Sequence, residues 1–313
     1  MSFVTSTAYK SAMEAPPAIA LVTGGKSGIG KALALKIASF PFIDVVLAVS
    51  RSIQDSDVSE SPKITALAAD VSTVEGRELI VQEVDRLCGG SAVETRIKQL
   101  RFLIHSAGVI EPIKPVLQVR PEELRHAMNI NCEAPLFLTT ALYPYMERDR
   151  TDSEQGAGRV LHVSSGAAHG APPVGWSCYS ITKAAFFQSY KVLECEFRHA
   201  GGNVVVGSFK PGIVDTTMQG VIRDAPATAM PSVGNFKAMK DRFEVSDVGD
   251  TIQARPPPAG ALDSPENVAC FAESLLIGTT DEEFANANDP NEYDIRNAEL
   301  YPRWIPAENL PLV

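Results

Sequence analysis

Cysteine is scarce in this 313-residue chain: the five present, Cys88, Cys132, Cys178, Cys195 and Cys270, are odd in number and form no CxxC pair. That usage argues against a disulfide framework and a structural zinc site, and it suits a reducing compartment. Long apolar runs are missing too. Each is interrupted well before the roughly 18 residues that a membrane-spanning helix needs, so no membrane association is expected. Basic residues are in deficit, with 28 Lys and Arg against 38 Asp and Glu and a formal net charge of -10. A surface of that sign repels a phosphate backbone, which excludes a nucleic-acid partner from the expectations. Residues 1–17 lack the charged start and apolar middle of a secretory signal and read as a polar leader. A cytoplasmic location follows as the expectation, although the hydroxyl-rich "TSTAYKSAM" keeps an organellar leader open.

What the chain does have is apolar mass, 45% hydrophobic residues, enough for a substantial core. The runs "AIALVTGG", "DVVLAVSR", "KITALAAD", "LRFLIHSAG", "RVLHVSSG" and "NVVVGSFKPG" are rich in Val, Ile and Leu without strict polar alternation. Strands covered on both faces read this way. Helix-length segments begin near Gly28, Thr73, Pro121, Tyr179 and Ser264. The alternation predicts an α/β fold: a Rossmann-like, doubly wound, mainly parallel sheet with helices on both faces. Neither a repeat nor a linker divides the chain, and the polar "RDRTDSEQGAG" at 148–158 reads as a surface loop. One domain over 18–313 is expected, with a lid segment at about 216–262 and a C-terminal tail from about 281. A seventh strand is not evident, and "NEYDIR" is only a weak candidate for it.

Two motifs carry chemistry. In "WSCYSITKAAF", Tyr179 and Lys183 stand four apart at the start of a helix and therefore share a face. A phenol titrates near pH ~10, and a cation about 5 Å away supplies roughly 3 kcal/mol toward the phenolate at an effective dielectric near 20. Alone the pair is a weak signal, because this composition yields such spacings by chance. The second motif, "TGGKSGIG", closes the first strand and opens a helix. Glycines at 24, 28 and 30 permit a tight turn and let a dinucleotide pyrophosphate approach the backbone at the positive helix end.

Together these motifs resemble the short-chain dehydrogenase/reductase family, and from Ile19 to about Ile277 further elements occur in that family's order. The resemblance implies a catalytic set of Asn131 from "INCEAP", Ser165 from "VSSG", Tyr179 and Lys183. Tyr179 would exchange the proton, Lys183 would lower its pKa and hold the nicotinamide ribose, Ser165 would polarise a carbonyl, and Asn131 would hold a water linked to Lys183. Ser165 stands fourteen residues before Tyr179, one more than usual, and Ser164 is the alternative hydroxyl, expected to point the other way on the strand. His162 and His169 fit core packing and loop exposure, and Cys178 a small packing residue, better than catalysis.

Cofactor contacts implied by the resemblance are Gly24, Lys26, Ser27, Gly28, Ile29 and Gly30 in the first turn, Asp70 and Val71 after the third strand, and Ser106, Ala107 and Gly108 in "HSAG". Tyr179, Lys183, and Pro211, Gly212, Ile213 and Thr216 of "KPGIVDT" complete them. At the end of the second strand Arg51 and Ser52 offer donors to a ribose 2′-phosphate, whereas Asp44 lies at the wrong end of that strand, so NADP(H) is favoured over NAD(H). Lys26 either reaches the same phosphate or is solvated. The resemblance further implies a homodimer or homotetramer built on the helices at 121–147 and 178–199.

Within the family "GWSCYSITKAAFFQSYKVLECEF" is most similar to the sepiapterin reductase and benzil reductase branch, with Gly175 and Trp176 shortly before the tyrosine. Met218, Met230, Phe236, Met239 and Phe243 suit an apolar lid, and no arginine clamp is evident, which favours a neutral ketone or vicinal diketone. Two alternatives stay open: a dehydrogenase oxidising a secondary alcohol with NAD(P)+, and a non-catalytic NADP-binding sensor or scaffold.

Overall fold

Each of the six apolar runs forms a strand. The computed structural model describes residues 16–92, 96–147, 156–201, 203–246, 262–285 and 292–297. The leader up to residue 15, residues 148–155 of the polar loop, the Phe243 side chain and the tail containing Trp304 lie outside the described residues.

The first half runs β1 (Ala18–Thr23), α1 (Gly28–Ala38), β2 (Ile43–Ser50), β3 (Ile64–Ala68), α2 (Val74–Cys88) and β4 (Gln99–His105). A long helical stretch follows, α3 (Pro121–Met128) and α4 (Ala134–Met146), joined through a π turn at Asn129–Glu133. Next come β5 (Gly158–Val163), α5 (Ser177–His199), β6 (Val204–Lys210), α6 (Thr217–Asp224), α7 (Val233–Ser246), α8 (Pro265–Gly278), α9 (Asp281–Ala285) and β7 (Tyr293–Asp294). The seven strands form one parallel sheet in the order β3-β2-β1-β4-β5-β6-β7.

Alternate residues of each strand feed two cores. Ala18, Ala20, Val22, Phe102, Ile104, Leu161, Val163 and Phe209 pack with Leu33 and Ile37 of α1 and Phe271 and Leu275 of α8. Their neighbours Ile19, Leu21, Leu100, Leu103, Val160 and Val206 pack on the other face with α2, α4 and α5. Burial on both faces explains why the runs show no polar alternation. The helix starts follow from capping: Thr73 accepts from Gly76 N at 3.0 Å and Ser264 from Asn267 N at 3.1 Å. Pro121 and Pro265 open their helices at N1, where an amide hydrogen has no intrahelical use.

Two details depart from the sequence reading. The helix expected over 121–147 widens at Asn129–Glu133, where Ala134 N bonds Asn129 O, five residues back. Pro135 has no N–H for the usual bond four residues back, a sufficient local cause for the wider turn. The weak strand candidate does join the sheet, but with only two residues: Tyr293 and Asp294 pair with Phe209 and Lys210. A Lys210–Asp294 ion pair at 3.0 Å and a hydrogen bond from the Tyr293 hydroxyl to the Glu283 carbonyl fix it there.

Because all strands are parallel, their carboxyl ends share one edge, and the chain order reverses between β1 and β4, where an open α/β sheet has its crevice. Tight packing shapes that edge. A Cβ on Gly30 would lie 2.2 Å from the Gly24 carbonyl oxygen, so helix and turn meet with no room for a methyl group. Gly30→Ala is expected to lower the unfolding free energy by about 1–3 kcal/mol, the usual scale for overpacking. Urea denaturation measures this, and an unchanged midpoint would show that the turn yields freely.

Candidate active site

The edge begins with Thr23, whose hydroxyl accepts from Ser106 N and Ala107 N, each at 3.2 Å, and so ties the end of β1 to the segment after β4. This brings Gly24 against that segment: its φ is +74°, and a Cβ there would lie 2.9 Å from Ala107 N. The backbone cradle exists because side chains are absent from it. It opens into a cleft of about 700 Å³. Gly24, Lys26, Ser27, Gly28, Ile29 and Gly30 line it from the first turn, with Arg51, Ser52, Asp70 and Val71 beside them. Ser106, Ala107, Gly108, Pro211, Gly212, Ile213 and Thr216 continue the wall to Ser165, Tyr179 and Lys183. The cleft's glycine turn, bare of side chains, and its backbone amides fit a dinucleotide pyrophosphate.

Tyr179 and Lys183 look into the cleft from the first turns of α5. Burial pushes the Tyr179 phenol above its ordinary range, and an interaction with the Ser165 hydroxyl offsets only part of that. Burial also pulls the Lys183 ammonium down to about 8, against the raising effect of Glu292. Its Nζ donates to the Val163 carbonyl at 3.1 Å and lies 5.9 Å from the centre of the Tyr179 ring. Lys183 thus stands one turn from Tyr179 with its ammonium bonded to the Val163 carbonyl, while burial is the largest influence on the phenol.

Ser165 caps the short turn Gly166–Ala168, accepting from Ala167 N at 3.1 Å. That turn and the loop after it, which ends at Gly175, take up the extra residue before Tyr179. Ser164 faces away, its hydroxyl donating to Glu292 Oε1 at 2.9 Å. Asn131 stands beside Lys183, the two side chains approaching Gly108 together. It is 1% exposed and stands behind the cleft wall. Its Oδ1 accepts from Val109 N at 2.8 Å, and its Nδ2 donates to Val109 O at 2.8 Å and Thr182 Oγ1 at 2.9 Å. With those three bonds the amide braces the segment after β4 against α5.

At the other end, Arg51 is exposed and has no hydrogen bond or ion pair among the described residues. Lys26 Nζ donates to the Ser52 carbonyl at 2.7 Å and lies 3.4 Å from Asp57, so it sits beside Ser52 and is not simply solvated. Asp44 pairs with Lys98 at 2.8 Å at the opposite end of β2. Asp70 accepts at Oδ1 from Ser72 N and Oγ at 2.9 and 2.7 Å. Burial works against its ionisation, yet these bonds and the charges of Arg51 and His126 hold the carboxyl below its usual range.

The lid side chains converge on the tyrosine. Met230 and Phe236 are buried with Ile110, Ile222 and Tyr179, and Met218, Met239 and Trp176 pack against them. The Trp176 indole donates to Met230 Sδ at 3.3 Å and stands edge-on to Tyr179, ring centres 5.6 Å apart. His162 is a core side chain stacked on Phe186 at 4.2 Å, and Cys178 is buried, which raises its thiol.

Sequence reasoning missed the contribution of residues 292–297. Glu292 is buried behind Ser164, and Asp294 and Arg296 line the cleft. The Arg296 guanidinium lies over Gly212, with Nε 3.4 Å from where a Cβ would stand, an arginine beside the cleft where the sequence showed no evident arginine clamp. Acidic and basic residues alternating with apolar ones in "NEYDIR" were the one available signal. Among the described residues no group of His, Cys, Asp or Glu is placed to hold a metal, and no helix is long and apolar enough to cross a membrane.

The short chain dehydrogenase family profile matches residues 18–227, and the chain belongs to that family of oxidoreductases, whose members bind NAD or NADP. It is 28% identical to a benzil reductase ((S)-benzoin forming) of Bacillus cereus over 271 residues, 82% of this chain and 92% of that relative. A benzil reductase of Bacillus subtilis is likewise 28% identical over 256 residues, with the same coverage of 82% and 92%. Among solved structures, a short-chain dehydrogenase/reductase from Saccharomyces cerevisiae superposes with a TM-score of 0.70 at 22% identity, covering 92% of this chain and all of that one.

The buried lysine has a consequence for stability. Its pKa in the folded protein is about 8 against an ordinary 10.5, so between those values the unfolded chain binds more protons and stability rises with pH, by up to about 1.4 kcal/mol per unit. Wild type is expected to gain on Lys183→Met as the pH of urea unfolding goes from 8 to 10. Parallel stabilities across that window would show that the ammonium is not held under this strain.

Proposed function

We propose that the protein is an NADPH-dependent carbonyl reductase acting on a neutral ketone or vicinal diketone. The observation that carries this reading is one continuous cleft with Tyr179, Ser165 and Lys183 at one end and the cations Arg51 and Lys26 at the other. NADPH, when bound, supplies the hydride. The Ser165 hydroxyl donates a hydrogen bond to the substrate oxygen as negative charge develops on it, and the Tyr179 phenol delivers its proton there. In reduction the Tyr179 phenol is the proton donor, and burial favours its protonated form. Lys183 holds the ribose hydroxyls and favours the phenolate left behind. Asn131, through Thr182 and Val109, keeps both walls in register.

Arg51 is offered as the reader of the 2′-phosphate, with Ser52 positioned by Lys26. Apolar side chains around Tyr179, with Trp176 and Phe236 in aromatic contact at 5.5 Å, support a flat, uncharged substrate, since a carboxylate there would lose its hydration without a paired cation. Arg296 lies toward the Gly212 turn. The relatives named for benzil reduction support the diketone class. The reading includes a cytoplasmic homo-oligomer; Phe137 on α4 and Ile181 and Val192 on α5, each more than 40% exposed, are its support.

Tyr179→Phe is expected to bind NADPH nearly as wild type but to turn over benzil at least about a hundredfold more slowly. Full turnover in that variant would remove the phenol from the chemistry, and nucleotide binding without turnover of any carbonyl by wild type would favour a sensor. Arg51→Asp is expected to shift the ratio of kcat/KM for NADPH over NADH toward NADH by at least about tenfold, as attraction becomes repulsion. An unchanged ratio would dismiss Arg51 as the reader.

A further inference from the structure

Behind the wall that carries Ser165 lies a carboxylate for which the reductase chemistry gives no account. Glu292 precedes β7, and its side chain has no solvent exposure. Three donors from three different elements converge on it. The Ser164 hydroxyl and His169 Nε2 reach Oε1 at 2.9 and 2.8 Å, and the Ser208 hydroxyl reaches Oε2 at 2.5 Å. Ser164 follows β5 and stands just before Ser165, His169 follows the short turn that Ser165 caps, and Ser208 lies on β6. A buried carboxylate is costly unless its oxygens are hydrogen-bonded, and here both are.

The arrangement does more than satisfy an acid. It closes a loop of contacts around Ser165, gripping the residue before it and the end of the turn after it. The same carboxylate acts on Lys183 from behind the strand. Other ionisable groups nearby are few. His162, buried against Phe186, feels Lys183, burial being the larger reason that its imidazole stays below its ordinary range. Tyr179 lies on the cleft side, His169 on Glu292 itself, and Asp294 is taken by Lys210. Of these groups only Glu292 opposes the burial of Lys183.

We propose that Glu292 is a positioning residue for the reaction: its carboxylate ties the side chains of Ser164 and His169, on either side of Ser165, to Ser208 of β6, and so fixes Ser165 and the neighbouring Val163 carbonyl that Lys183 bonds. This extends the carbonyl-reductase reading and rests on it for the roles of Ser165 and Lys183. It also makes residues 292–297 part of the active site, since the clamp and the cleft-lining Asp294 and Arg296 belong to one short stretch.

The test titrates Lys183 directly by NMR in nucleotide-free protein carrying ¹³C at the lysine ε carbon, with the resonance assigned by its loss in Lys183→Met. Glu292→Gln keeps the shape but removes the charge and weakens the charge-assisted bonds of the tie, and it is expected to lower the Lys183 midpoint by roughly one pH unit, the scale of a nearby opposite charge. Glu292→Asp keeps the charge and is expected to stay within about half a unit of wild type. A midpoint unmoved in Glu292→Gln, or displaced as far in Glu292→Asp as in Glu292→Gln, would overturn the proposal. Should Glu292→Gln fail to fold, the Glu292→Asp titration decides alone, a midpoint a full unit low counting against it. Because no substrate is present, this result is independent of whether the protein reduces carbonyls; turnover is read separately, with kcat expected to fall at least about tenfold in Glu292→Gln and the NADPH Kd to hold within about twofold.

Discussion

Parallel strand pairing is the constraint on which the rest of this molecule depends. It sends every strand end to the same edge, so the turn after β1, the segment after β4, the serines after β5 and the Pro-Gly turn after β6 are neighbours although the chain keeps them far apart. The Thr23 hydroxyl converts this general arrangement into a particular one. By bonding two successive amides after β4 it fixes how closely Gly24 approaches Ala107. Everything further along the cleft inherits that spacing, since Val109 continues the same segment and is braced in turn by Asn131.

Electrostatics at the catalytic end follow from burial more than from pairing. A phenol and an ammonium removed from water both move toward their neutral forms, one upward and the other downward. The two side chains are therefore poised in opposite senses by the same cause. Charge that remains is managed from outside the cleft, by Glu292 behind β5 and by the carbonyl at the end of that strand. Residues outside the cleft thus share in setting the charge state of those that line it.

The sheet, its six longer strands and the two motifs on either side of the cleft were legible in the sequence because their signals are local: two-sided burial leaves runs of Val, Ile and Leu, a strand-to-helix turn that meets backbone leaves glycines, and a shared helix face leaves a four-residue spacing. Asn131 was legible as a position but not as a contact, since its partner Thr182 lies 51 residues away. The direction of the Tyr179 shift was not legible at all. Spacing reports which groups are near each other, whereas burial depends on the whole lid and on Trp176 and Met230 meeting across it. Glu292 and Arg296 left almost no trace for the same reason: a two-residue strand has no periodicity, and its place comes from the sheet edge that receives it.

One contact across the cleft has a bearing on how the protein is made. Gly28, at the start of α1, lies against the Thr216 methyl group, so the two ends of the nucleotide-facing wall come from opposite parts of the described chain. During synthesis the first turn leaves the ribosome long before the segment that closes it, and contacts of such sequence separation form late because loop closure must come first. The half-sheet β3-β2-β1-β4 therefore emerges with its crevice open on one side and its apolar β4 edge unpaired until β5 is made. Until β5 pairs, that edge is open to non-native strand pairing, and the second wall of the site forms only once the segment carrying Thr216 is made.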